Sequence, residues 1–185
     1  MSRLGKKAIQ IPAGVTVAVN GAEITVKGPK GELKQVLRPE VKINLNEAGN
    51  ELVVEKIGDT RTANAMHGLF RALIQNMVIG VTKGYEMRLE LFGAGYLATV
   101  AGNVLQIRVG FANEIHKTIP TGLTVKCEGQ QPTYKIQITG CDKQQVTQFA
   151  AEVRAIRKAD PYLTKGLKYE GEAIRRKESK QTGKK

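Results

Sequence analysis

Gly21-Ala-Glu-Ile-Thr-Val-Lys-Gly28 decides the fold class, because its pattern returns later in the chain as Gly102-Asn-Val-Leu-Gln-Ile-Arg-Val-Gly110. Both stretches alternate apolar and polar residues between glycines, which is typical of half-buried strands that end at turns. Val15, Val17 and Val19 alternate in the same way before the first stretch, and Asn20-Gly21 is a strong hairpin signal. The sequence therefore predicts antiparallel strand pairs in both places.

The recurrence extends beyond these strands at a nearly constant spacing. Further matched positions follow in the same order: Pro39 with Pro120, Val41–Ile43 with Leu123–Val125, Asp59 with Asp142, and Arg71 with Arg154. An ordered series that includes glycine, proline and helix-cap positions indicates an internal duplication. The predicted fold class is α+β, with two tandem similar domains. Each is a small, mostly antiparallel β-sheet covered by one amphipathic α-helix, and a basic C-terminal tail follows.

Each half contains one helix pattern after its strands. Asp59 or Thr60 can cap the first helix, Gly80 is expected to end it, and Asp142 begins a capping-box pattern for the second. Apolar residues at helical spacing predict the buried faces: Met66, Leu69, Phe70, Leu73, Ile74 and Met77 in the first helix, and Phe149, Val153 and Ile156 in the second. The predicted boundaries are residues 1–82 for the first repeat, 83–169 for the second, and 170–185 for the basic tail.

Positive charge is concentrated at the end of the chain. The 185 residues include 29 Lys/Arg and 17 Asp/Glu, for a net charge of +12, and residues 154–185 alone carry eleven basic and four acidic side chains. A polyanion is therefore the leading class of partner, with an anionic membrane surface second. No apolar run approaches the roughly 20 residues that span a bilayer. The first residues do not resemble a signal peptide, so a cytosolic protein is expected.

The basic segment has features that suit RNA or DNA. Asp160-Pro161 interrupts the helix pattern, and a Gly-containing basic loop follows between Tyr162 and Tyr169. Cations at such a turn can hold phosphates, and the flat rings can stack on bases. The simpler alternative is a solvated tail that keeps the chain soluble. The candidate RNA-binding residues are Arg154, Arg157, Lys158, Tyr162, Lys165, Gly166, Lys168, Tyr169, Arg175, Arg176 and Lys177.

Signals for catalysis are weak throughout the chain. Gly93-Ala-Gly-Tyr-Leu-Ala98 fits G-x-G-x-x-A, but a strand pattern follows it where a dinucleotide site needs a helix. The glycines of this stretch are better explained by a bulge or by close strand packing. His67 and His116 are isolated, so they do not form a metal site. Cys127 and Cys141 are also isolated and lack metal-ligand spacing, so free thiols are expected. We predict no catalytic residue, no metal ligand and no cofactor.

Several motifs in order resemble a known family. These are Met-Ser-Arg-Leu-Gly-Lys-Lys7 with Ile11-Pro12, Thr25–Leu33, Met77–Gly84, Leu91–Tyr96, and Ala159-Asp-Pro-Tyr-Leu-Thr-Lys-Gly-Leu-Lys-Tyr169. Together they make the chain similar to the sixth protein of the bacterial-type large ribosomal subunit. The family generally has Pro where Ala159 stands and Lys-Gly where Leu163-Thr164 stand. It also often has a basic residue where Leu97 stands.

The resemblance implies a structural, non-enzymatic constituent of the large subunit. It implies two similar α+β domains and binding to large-subunit rRNA near the sarcin–ricin loop and the base of the factor-recruiting stalk. Neighbouring ribosomal proteins and transient translation factors are the implied partners, and residues 1–82 are the implied outward-facing copy. An RNA- or DNA-binding accessory protein outside the ribosome is the alternative reading.

Overall fold

The computed structural model describes residue 5 and residues 7–46 and 50–178. The chain forms two compact units. The first unit contains residues up to 85 together with 141–143, and the second contains residues 86–140 and those from 144 onward. Both units combine small antiparallel sheets with one helix, so the predicted α+β class is confirmed. Residues 179–185 of the predicted basic tail lie outside the described residues.

Within its described residues, the first unit contains two three-stranded antiparallel sheets. One has the strand order β2-β3-β4 and the other β1-β6-β5. The predicted hairpin at Asn20-Gly21 is confirmed, because Asn20 pairs with Glu23 and Val17 with Val26. The elements are β1 (Ile9–Gln10), β2 (Thr16–Asn20), β3 (Glu23–Gly28), β4 (Gly31–Val36), β5 (Val41–Leu45), β6 (Glu51–Lys56) and α1 (Arg61–Thr82).

Helix α1 begins where the sequence predicts and ends later. The Thr60 hydroxyl accepts a hydrogen bond from the Ala63 N–H at 3.1 Å, which makes Thr60 the N-cap. The prediction that Gly80 ends the helix is wrong, since α1 continues to Thr82. A Cβ at residue 80 would lie 2.0 Å from the Cys141 carbonyl oxygen. This glycine therefore permits a close backbone contact inside the helix.

The core of the first unit lies between α1 and the sheets. Phe70 and Ile74 of α1 pack in one cluster with strand residues such as Ile24, Val26 and Leu52. The prediction of Leu69 as a core residue is wrong, because its side chain is 46% exposed. His67 is buried instead, and one of its ring nitrogens lies 2.9 Å from the Val54 carbonyl oxygen.

The described residues of the second unit repeat this plan and add one strand. Its three-stranded sheet has the order β10-β9-β8, and a four-stranded sheet has the order β11-β12-β7-β13. Helix α2 buries Val146, Phe149, Ala150 and Val153, while Ile156 is only partly buried. The elements are β7 (Tyr85–Phe92), β8 (Leu97–Ala101), β9 (Val104–Arg108), β10 (Ile115–Thr118), β11 (Leu123–Gln130), β12 (Thr133–Gly140), α2 (Lys143–Ile156) and β13 (Gly166–Tyr169).

Each unit contains a backbone hydrogen bond at an equivalent place. The Ile11 N–H donates to the Asn50 oxygen at 2.8 Å, and the Gly93 N–H donates to the Pro132 oxygen at 3.0 Å. Residue 11 follows β1 and residue 93 follows β7, so β1 and the end of β7 occupy matching positions. The units differ after their helices. Helix α1 has 22 residues and α2 has 14, and the chain after α2 forms a loop and then β13.

Candidate nucleic-acid interface

The segment after α2 forms a compact loop stabilised by its own backbone. The Asp160 N–H donates to the Lys165 oxygen at 2.9 Å, and the Thr164 N–H donates to the Asp160 oxygen at 2.8 Å. The Asp160 carboxylate accepts the Leu163 N–H at 3.0 Å, as Asp commonly does in turns. Thr164 has a φ of 60°, in the left-handed region. These contacts hold Tyr162 and Leu163 at the tip, with 49% and 60% of their surfaces exposed.

The second half of the predicted basic loop is a strand. Residues Gly166–Tyr169 form β13, which pairs antiparallel with β7 through Gly166 with Phe92 and Leu167 with Leu91. Leu167 is fully buried. A Cβ on Gly166 would lie 2.7 Å from both the Ala159 Cα and the Lys158 oxygen. The predicted site residue Gly166 therefore fixes the loop against the strand.

Arg154 and Tyr169 are joined through Glu172. The Arg154 guanidinium donates two hydrogen bonds to the Glu172 carboxylate and lies 5.3 Å from the centre of the Tyr169 ring. The same carboxylate accepts the Tyr169 N–H at 3.0 Å. The bond from Arg154, with the Tyr169 N–H, lowers the pKa of Glu172, so the carboxylate stays charged at neutral pH. Sequence reasoning missed Glu172, because it was counted only as a negative charge.

Arg157 and Lys168 also make contacts inside the second unit. Arg157 donates to the Val109 oxygen at 2.6 Å, and its guanidinium lies 5.6 Å from the Tyr96 ring centre and 5.4 Å from that of Phe111. Lys168 of β13 forms an ion pair with Glu90 of β7, with a distance of 2.9 Å between Nζ and the carboxylate. Lys168 and Glu90 are directly opposite each other in the strand register. Side chains in such a cross-strand pair are close enough for opposite charges to attract.

The remaining predicted cations face solvent. The Lys177 N–H donates to the Pro161 oxygen at 3.1 Å, which returns the chain after β13 to the loop. This contact brings residues 175–177 beside the loop that carries Lys165. Five exposed cations form no ion pair within the described part of the chain, and we call them the exposed cation set: Lys158, Lys165, Arg175, Arg176 and Lys177.

The structure gives little support for catalytic chemistry in the parts of the chain that it describes. Among those residues no group of three His, Cys, Asp or Glu could hold a metal ion. The stretch after β7 packs on itself, since a Cβ on Gly93 would lie 2.5 Å from the Tyr96 ring. Close packing therefore explains Gly93, whereas a Cβ on Gly95 would meet nothing within 4 Å and its φ of 76° suits a turn. Both cysteines are free thiols, and none of the described helices is long and apolar enough to cross a membrane.

The fold and the site define a class of protein: a duplicated α+β scaffold that presents exposed cations at the end of its second repeat. The pattern of the family described as Ribosomal protein L6 matches residues 11–84 and 92–170, one segment for each repeat. The chain is 49% identical to large ribosomal subunit protein uL6 of Rhodopirellula baltica, over 97% of this chain and 98% of that protein.

Two further relatives carry the same name. The Dictyoglomus thermophilum protein is 49% identical, over 97% of this chain and 98% of its own length. The Listeria welshimeri protein is 46% identical over the full length of both. The chain belongs to the ribosomal protein L6 family. Because that family is structural, the prediction that the chain is not an enzyme is confirmed.

Proposed function

We propose that this structural constituent of the large ribosomal subunit binds large-subunit rRNA through the end of its second repeat. The exposed cation set contacts phosphates, and Tyr162 at the loop tip stacks on or packs against a base. This surface is held in position by residues that make contacts inside the second unit: Arg154, Arg157, Gly166, Lys168 and Tyr169. The proposal rests on the hydrogen bond from the Lys177 N–H to the Pro161 oxygen, which returns the chain after β13 to the loop. This return brings Arg175, Arg176 and Lys177 beside the loop that carries Lys165.

The distribution of charge supports the assignment of the RNA surface to the second repeat. Residues 1–82 contain eleven basic and seven acidic side chains, whereas residues 154–185 contain eleven basic and four acidic ones in a much shorter stretch. Phosphate binding depends on closely spaced cations. The division into residues 1–82, 83–169 and 170–185 is part of the same proposal, with the first repeat facing outward to other proteins.

The resemblance to the family supports a location in the cytoplasmic ribosome. We place the protein near the sarcin–ricin loop and the base of the factor-recruiting stalk. Neighbouring ribosomal proteins and transient translation factors are then the partners of the first repeat. A surface with few excess charges suits protein contacts better than RNA contacts.

The test measures binding to large-subunit rRNA at several salt concentrations. The variant replaces all five members of the exposed cation set with Gln. If each cation meets one phosphate, the slope of log K against log salt falls by about 3.5 to 4.5 units, since each contact contributes roughly 0.7 to 0.9. The fold remains intact, because none of the five side chains forms an ion pair inside the described structure.

The matched control removes the same charge from the first unit. It replaces five exposed cations there with Gln: Lys7, Lys27, Arg38, Lys42 and Arg61. The control should change the slope by about one unit or less, because only long-range attraction is reduced. Equal slopes for the two variants would show that the segment after α2 is not the RNA surface.

A further inference from the structure

The first unit has an open sheet edge at β1. Strand β1 pairs only with β6, and no other strand lies on its outer side within the described part of the chain. Because the Ile11 N–H bonds to Asn50, the alternation of an antiparallel pair turns the N–H and C=O of Gln10 toward the open edge. Ala8 and Gln10 are both exposed. Such an edge offers backbone hydrogen bonds to another strand.

A groove runs beside this edge. Its volume is about 890 Å³, and its walls include Gln10 and Ile11 on the strand side and Val78 and Ile79 on α1. These helix residues belong to the last two turns of α1, which α2 lacks. The longer helix thus supplies an apolar wall where the second unit has its loop.

The second unit shows what fills the equivalent position. There β13 lies along the outer edge of β7, with Gly166 opposite Phe92 and Leu167 opposite Leu91. Since Ile11 and Gly93 make the same backbone bond, Gln10 corresponds to Phe92 and Ile9 to Leu91. Leu167 is fully buried in that position. A strand added to β1 would likewise place an aliphatic side chain beside Ile9.

We propose that the β1 edge and its groove bind an extended segment of a neighbouring protein of the large subunit. The segment adds one short strand beside Ala8–Gln10 and places one aliphatic side chain against Ile79. Strand addition to an exposed sheet edge is a common way to bind a peptide. This interaction is separate from the RNA surface proposed above, and it uses residues of the first unit only.

The chemistry of the groove favours protein over RNA. Its charged lining consists of Glu51 and Lys83, one of each sign, so it does not attract a chain of phosphates. The strand itself is short, because β1 has two residues and Pro12 follows closely. A few hydrogen bonds alone give weak binding. The occupant must therefore be held nearby by other contacts, as in an assembled particle with a high effective concentration.

The test uses the full chain assembled into large subunits. A photo-crosslinking benzophenone residue replaces Ala13, which is exposed and borders the groove. We expect a crosslink to one segment of a neighbouring protein. Gln10→Pro removes the outward N–H and should reduce the yield about tenfold, while Gln10→Ala keeps the N–H and should reduce the yield far less.

A second pair of variants covers the case in which Gln10→Pro does not assemble. Ile79→Glu places a charge on the groove wall and should reduce the crosslink, whereas Ala72→Glu places it on an exposed part of the same helix and should not. Crosslinks to rRNA, to a second copy of this chain, or to nothing would overturn the proposal. So would equal yields within both pairs.

Discussion

Gly166→Ala tests whether the loop and β13 are held together by close backbone packing. The new Cβ would lie 2.7 Å from the Ala159 Cα and from the Lys158 oxygen, and Gly166 has a φ of 136°. Backbone atoms cannot rotate aside as a flexible side chain can, so the strand must move. We expect β13 to separate from the chain at Lys158 and Ala159.

The magnitude follows from two costs. The positive φ costs about 1–2 kcal/mol for a residue with a side chain. Movement of the strand weakens the hydrogen bond from the Leu167 N–H to the Arg157 oxygen, now 2.8 Å, and partly exposes Leu167. Together these losses add about 1–2 kcal/mol. We expect the free energy of unfolding of the second unit to fall by about 3 kcal/mol.

Gly171→Ala is the matched control for this substitution. Gly171 has a φ of 78°, and a Cβ there would meet nothing within 4 Å. Gly171→Ala should therefore lower the free energy of unfolding only by the backbone cost of the positive φ, about 1 kcal/mol. Urea unfolding followed by circular dichroism gives the two free energies, and hydrogen exchange of the Leu167 amide reports on β13 directly. If the two substitutions cost the same, or if exchange at Leu167 does not change, close packing at Gly166 does not hold the loop.

Two other predictions concern titrating groups of the second unit. Glu172→Gln should lower the free energy of unfolding by about 1–2 kcal/mol at pH 7, because charge-assisted bonds from Arg154 and the Tyr169 N–H are weakened. The pKa of Glu172 is lowered in the folded chain, so this stabilisation is complete above the ordinary Glu pKa and disappears as the pH falls through the lowered one. Stability curves against pH should therefore converge in acid, and Glu178→Gln, an exposed control, should show no difference at any pH. Burial raises the pKa of Cys127 to about 11, so in a Cys141→Ser background a disulfide reagent at pH 8 should react roughly a hundredfold more slowly with the folded chain than with the urea-unfolded chain. Similar rates in the two states would show that this thiol is not protected.

The duplicated sheets were predictable because their signals are local. Alternating apolar residues and Asn20-Gly21 specify a hairpin without help from distant residues. Thr60 as an N-cap depends only on the next three residues. The prediction that Gly80 ends α1 failed for the opposite reason. A glycine is needed there because the Cys141 carbonyl oxygen lies too close to leave room for a Cβ. This tertiary contact cannot be recognised from the neighbouring sequence.

The candidate site was predicted as a segment but not in its details. Basic residues and Pro161 indicated a cationic loop, whereas the strand character of Gly166–Tyr169 depends on the free edge of β7. Tertiary pairing of this kind commonly overrides local patterns. Sequence alone also could not separate exposed cations such as Lys165 from Arg154 and Lys168, whose acidic partners are far along the chain or on another strand. A count of charges treats all of them alike.

The position of β13 after the other described strands has a consequence for synthesis. Domains generally fold in order as the chain emerges, with the N-terminal domain first. All strands of the first unit precede residue 57, but the outer edge of β7 stays open until Gly166–Tyr169 has been made. We expect a nascent chain that stops before Gly166 to contain a finished first unit and an unfinished second one. The cationic surface therefore takes shape only after Gly166–Tyr169 has been synthesised.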